Sequence, residues 1–144
     1  MGQLLRRVRV YFNTSILIKA VNPWELGHVE SIRFIEDLLR RGFVLVYSDV
    51  HFVEGLRPST ESRIRRLFDR YEFIKCRVSV VDVVRRADAY VKSRGYSVSR
   101  RFDVAHMFAA RDCSCRFIAA VDDFIRRRSK EFGLIYINYY TGIP

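Results

Sequence analysis

Short runs of β-branched and aromatic residues, separated by stretches of helical periodicity, constrain this chain more than any other feature. Arg7–Phe12 (RVRVYF), Phe43–Tyr47 (FVLVY), Ile74–Val81, Arg116–Val121 and Leu134–Asn138 read as strands. Several are continuously apolar rather than alternating, as expected of strands buried on both faces. Helices are predicted between them. Ile16–Ala20 follows a cap at Asn13 or Thr14, and His28–Arg41 carries Val29, Ile32, Ile35, Leu38 and Leu39 on one face before Gly42 stops it. Asp49–Leu56 starts behind Ser48, Thr60–Phe73 follows Pro58, and Val83–Arg94 ends at Gly95. A helix surrounds Asp103, and Phe124–Phe132 ends at Gly133. This alternation predicts an α/β fold in three α/β/α layers around a mostly parallel central sheet, built by one domain spanning residues 1–144.

The charge is strongly one-sided. Lysine and arginine total 26 against 16 acidic residues, a formal charge of +10, and only Lys19, Lys75, Lys92 and Lys130 are lysine. Arginines cluster at Arg6/Arg7/Arg9, Arg63/Arg65/Arg66, Arg85/Arg86, Arg100/Arg101 and Arg126/Arg127/Arg128. Any one cluster alone reads as a solvated helix face. Together they suit a polyanion, because guanidinium pairs bidentately with phosphate, so nucleic acid or an acidic protein is the expected partner. No apolar run approaches the length that spans a bilayer, so no membrane association is expected. The opening MGQLLRRVRV has no signal-type apolar core, which reads as cytoplasmic. Cys76, Cys113 and Cys115 are then expected to be packing residues or incidental thiols, and the isolated C-x-C lacks the second pair that zinc needs.

The acidic residues at element junctions form a smaller set. Glu54 lies in the segment after the second strand, Asp103 near the start of a helix, and Asp122 with Asp123 at the end of a strand. Asn13 occupies the equivalent place after the first strand. If the strands are parallel, Asn13 and Asp122 reach the same sheet edge, where open α/β sheets bind ligands. Oxygen donors of this kind suit Mg²⁺ or Mn²⁺. A cation so held would activate water and neutralise charge developing on a phosphodiester. Asp103 and His106 are three apart and so share a helix face.

These segments carry a resemblance. FNTSILIKA (Phe12–Ala20), SDVHFVEGLR (Ser48–Arg57), FDVAHMFAA (Phe102–Ala110) and AVDDFIRR (Ala120–Arg127) resemble, in order, the four acidic motifs of the PIN domain family. The resemblance implies a compact Rossmann-like α/β/α fold and a Mg²⁺- or Mn²⁺-dependent endoribonuclease that cleaves single-stranded RNA. It further implies the toxin half of a VapC-like toxin–antitoxin pair, with an antitoxin partner and a possible homodimer. Carried over by position, the metal ligands are Asn13, Glu54, Asp103 and Asp122, with Asp123 as a substitute one register on. Glu54, Asp103 and Asp122 take the catalytic roles. The chain departs from the family twice. Asn13 offers a neutral carbonyl where the family has a carboxylate, and Ala120 stands where it favours Thr or Ser. The alternative is therefore a degenerate, non-catalytic PIN domain that binds RNA or protein.

Around that set, Thr14 and Ser15 read as helix-start residues whose hydroxyls are also placed to bond a metal-bound water. His106 reads as a packing or supporting histidine, since an oxygen-rich Mg²⁺ site has no use for imidazole. Arg126 and Arg127, with Arg128, stand beside the acidic edge and are candidates for RNA phosphates. Trp24 and Phe52 are candidate stacking residues. A nucleotide-binding reading fails because no glycine-rich loop follows the first strand.

Overall fold

Val10, Tyr11 and Phe12 are completely buried, and the strand they form, β1 (Arg9–Phe12), lies at the centre of a five-stranded sheet. The computed structural model describes residues 7–144. Arg6 and the rest of the amino-terminal hexapeptide read above lie outside them. After β1 come α1 (Thr14–Val21), α2 (His28–Arg40), β2 (Val44–Tyr47), α3 (Pro58–Arg70) and β3 (Ile74–Lys75). They are followed by α4 (Val80–Arg94), α5 (Arg101–Asp112), β4 (Phe117–Ala119), α6 (Asp123–Arg128) and β5 (Ile135–Ile137).

The strand order is β3-β2-β1-β4-β5, and all four pairings are parallel. The order reverses between β1 and β4, where Tyr11 pairs with Ile118 and Phe12 with Ala119. Such a switch point opens a crevice at the carboxyl ends of the strands. Side-chain alternation along β1 divides the core in two. Val10 and Phe12 join α1, α2 and α3 through Ile16, Leu17, Ile35, Leu38 and Ile64. Tyr11 faces α4 and α5 through Val83, Ala87, Val104 and Met107. The three-layer expectation therefore holds, and the sheet is wholly parallel.

Three local expectations are corrected. The helix expected at Asp49–Leu56 is a single 3₁₀ turn, Asp49–Phe52, and Glu54 lies beyond it. The His51 side chain folds back on the Ser48 backbone, Gly55 takes φ +87°, and Pro58 then opens α3, so no further helical turn forms. The strand expected at Ile74–Val81 pairs only at Ile74 and Lys75, because Ser79 caps α4 by accepting from the Asp82 amide. The cysteine reading also changes. Cys76 and Cys113 form a disulfide, with Cα atoms 6.0 Å apart, and only Cys115 is a free, buried thiol. Nothing local in the sequence signals this bond, because it depends on the segment after β3 passing the end of α5.

The disulfide closes 37 residues of chain. Chain-entropy arguments give such a loop about 3–4 kcal/mol. Cys76→Ser is expected to lower the unfolding free energy by about that amount, read as a reduced urea midpoint with a slope that does not fall, since the unfolded chain loses its cross-link. Dithiothreitol should move the parent protein to the same midpoint.

Candidate functional site

At the carboxyl edge of β1 the chain turns directly into α1. Asn13 is buried and caps the helix, its Oδ1 accepting from the Ser15 amide at 2.9 Å. Its own amide donates to the Ala119 carbonyl at 2.9 Å. Ser15 Oγ accepts from the Val121 amide at 3.0 Å, so α1 also holds the segment beyond β4. Thr14 turns the other way and donates a short hydrogen bond to Glu54 Oε1.

Behind this edge runs a buried polar chain. Tyr11 OH lies 2.7 Å from both Ser48 Oγ and His106 Nδ1, and His106 Nε2 lies 2.8 Å from Glu54 Oε1. The contacts close when Ser48 donates to Tyr11, Tyr11 donates to Nδ1, and His106 donates from Nε2 to the carboxylate. Burial pushes the Tyr11 phenol well above its usual range. For Glu54 burial pushes upward, but His106 and the Thr14 hydroxyl outweigh it and hold the carboxyl below its ordinary value. His51 is buried beside His106, ring centroids 4.4 Å apart. Burial first, then the neighbouring imidazole, bring it down to about 4, so it is neutral near pH 7. Its Nε2 lies 2.6 Å from the Phe12 carbonyl, and its Nδ1 lies 2.9 Å from the Ser48 carbonyl and 3.3 Å from the Ser48 amide.

Asp103 belongs to a second group. It lies in the first turn of α5, 3.6 Å from Arg100. Burial raises its carboxyl to about 6, and the charge of Asp122 adds to the rise against His106 and Arg100. Asp122 caps α6 by accepting from the Ile125 amide at 2.9 Å, while its own amide donates to Tyr136 OH. Asp123 is exposed and pairs with Arg126 at 2.5 Å and Arg127 at 2.9 Å.

No family model matches the chain, and no curated protein matches it. Among solved structures it is similar to the crystal structure of FitAcB from Neisseria gonorrhoeae, with a TM-score of 0.55 and 11% identity. The likeness covers 91% of this chain and 98% of that one. The fold is PIN-like. In a PIN-like frame the edge positions can be compared with the expected donor set. Thr14, Glu54 and His106 are hydrogen-bonded together, Asn13 is held by Ser15 and Ala119, and Asp103 feels the charges of both Asp122 and His106. Among the described residues, no three His, Cys, Asp or Glu side chains are disposed to hold a metal ion. The Asn13 oxygen serves a helix cap, Glu54 serves His106 and Thr14, and Asp123 serves two arginines. A divalent cation depends on converging carboxylate charge, and within this set Asp103 and Asp122 are the two carboxylates whose charges meet at the edge.

Tyr11, Ser48, His51 and Tyr136 are integral to the edge yet were not singled out as site residues by sequence. Tyr11 reads as one more apolar strand position, and Ser48 reads only as a cap. A signal for His51 exists in hindsight: a histidine three residues after a capping serine is placed to return to that cap.

Asp103 supplies a pH test. An acid whose folded value is raised favours folding less once it ionises, so its cost is absent below about pH 4 and complete above about pH 6. Asp103→Asn is expected to be more stable than the parent at pH 7–8 by about 1–3 kcal/mol, converging with it near pH 4. Chemical denaturation across that range checks this, and Asp122→Asn should lower the Asp103 midpoint seen by NMR titration.

Proposed function

We propose that this chain is a PIN-like module that binds single-stranded RNA without cutting it. The observation that carries the reading is that Asn13 Oδ1, Glu54 Oε1 and Asp123 are already held by protein partners, at a fold edge where a nuclease needs converging carboxylates. The arginine excess supports an anionic ligand, with a charge of +10 and most cationic side chains able to fork onto phosphate. A phosphate-dominated interface gives affinity that falls steeply with salt and tolerates sequence change.

One observation favours a second reading. Asp103 and Asp122 repel one another at the carboxyl edge, and a divalent cation would relieve that repulsion. On this reading the chain is a metal-dependent endoribonuclease of single-stranded RNA, with the antitoxin partner and homodimer that the resemblance implies. Asp103 and Asp122 would then be its essential acids.

Calorimetry with Mn²⁺ and Mg²⁺, run on the parent and on Asn13→Asp alongside incubation with mixed-sequence single-stranded RNA, separates the two. The expected result is RNA binding by the parent with no metal-dependent heat and no cleavage. Cleavage by the parent that disappears in Asp103→Ala would establish the nuclease instead. Gain of metal binding only in Asn13→Asp would trace the loss to that one neutral oxygen.

A further inference from the structure

α1, α2 and α3 enclose an open groove of about 450 Å³ whose floor includes Ile32 and Leu67 and whose wall is Arg63, Arg66 and Arg70. The three arginines stand at i, i+3 and i+7 on α3 and therefore share one face, over about 10 Å of helix. Among the described residues none of these three has a carboxylate within salt-bridge distance, as is also true of Arg33, Arg41, Arg57, Arg77 and Arg85. Arg63 donates to Asn22 Oδ1 at 3.0 Å and Arg66 to Ser62 Oγ at 3.2 Å, both neutral acceptors. Glu36 lines the same groove and accepts from Tyr71 OH at 3.3 Å. One carboxylate against three guanidiniums leaves the groove positive.

Like charges at helical spacing destabilise a helix unless something outside it compensates. The compensation here has a recognisable form. The Arg63 guanidinium lies 5.1 Å from the centre of the Trp24 ring, and Trp24 is 70% exposed. An exposed indole beside a row of arginines without carboxylate partners offers a stacking face next to phosphate-binding forks. Bases in a duplex are already stacked, so this combination selects an unpaired strand.

We propose that the groove along α3 binds the backbone of single-stranded RNA over about three phosphates, with an unpaired base on Trp24. The assignment rests on the RNA-binding reading above and gives it a location, away from Asp103 and Asp122. An acidic protein segment is the competing occupant, and the test distinguishes it.

The experiment measures fluorescence anisotropy of a labelled, mixed-sequence single-stranded RNA across a KCl series. Parent, the triple variant Arg63→Gln/Arg66→Gln/Arg70→Gln, and Trp24→Ala are compared, with a duplex RNA of the same sequence as control. Glutamine keeps the aliphatic stem and removes the charge. The slope of log affinity against log salt is expected to become shallower by about 2 in the triple variant, which is about 0.7 for each of three phosphates. Trp24→Ala should weaken single-strand binding by about five- to a hundredfold and leave duplex binding unchanged. A parent-like slope in a folded triple variant, together with parent-like binding by Trp24→Ala, overturns the assignment and leaves the RNA-binding reading standing. Failure of the parent to bind any RNA overturns both. A groove that binds a glutamate-rich synthetic peptide through these arginines, and no RNA, overturns the assignment in favour of a protein surface. If the triple variant does not fold, Trp24→Ala against the two RNAs decides alone.

Discussion

The hydroxyl of Tyr11 ties together the parts that meet at the carboxyl edge. It is carried by the central strand, and through Ser48 and His106 it fixes the end of β2 and the middle of α5. His106 extends the connection to Glu54 and so to Thr14 at the head of α1. A buried chain of this kind is costly to leave half-satisfied, and each donor here meets one acceptor. The edge is consequently rigid for internal reasons. Within that chain Glu54 spends one oxygen, Oε1, on both Thr14 and His106.

The layering was legible because it rests on patterns that single sequences carry well. Val10 and Phe12 against Tyr11, or Leu45 and Val46 in β2, are apolar on both faces of the strand, which dictates cover on both sides of the sheet. Ends were less legible. Glu54 looked helical because Ser48 is a proper cap, yet the turn behind that cap is consumed by His51 returning to it. Val78 and Val80 looked like strand because they are β-branched, but Ser79 between them is a cap that sequence periodicity passes over.

The site was legible as positions and not as relations. Asn13, Glu54, Asp103 and Asp122 are at the carboxyl side of the sheet as spacing implied, but spacing cannot say which donors already have partners. Asp122 and Asp123 are adjacent in sequence and differ in everything else, one capping α6 and the other held between two exposed arginines. The disulfide was invisible for the same reason, since its two cysteines meet only after the two helices between them, α4 and α5, are in place. Its presence would be unusual in the reducing cytoplasm of a mesophile and ordinary in a hyperthermophile.

That covalent link reaches beyond its own loop. β3 contributes only two residues to the sheet, at an outer edge where fraying is normally cheap and local. Because Cys76 directly follows β3 and is bonded to the residue that caps α5, that edge has no independent freedom to peel away. Opening it displaces the end of the helix that carries His106 and Asp103. A peripheral two-residue strand is thereby enrolled in the cooperative unit of the core, so the margin of the sheet and its central polar chain open as one event.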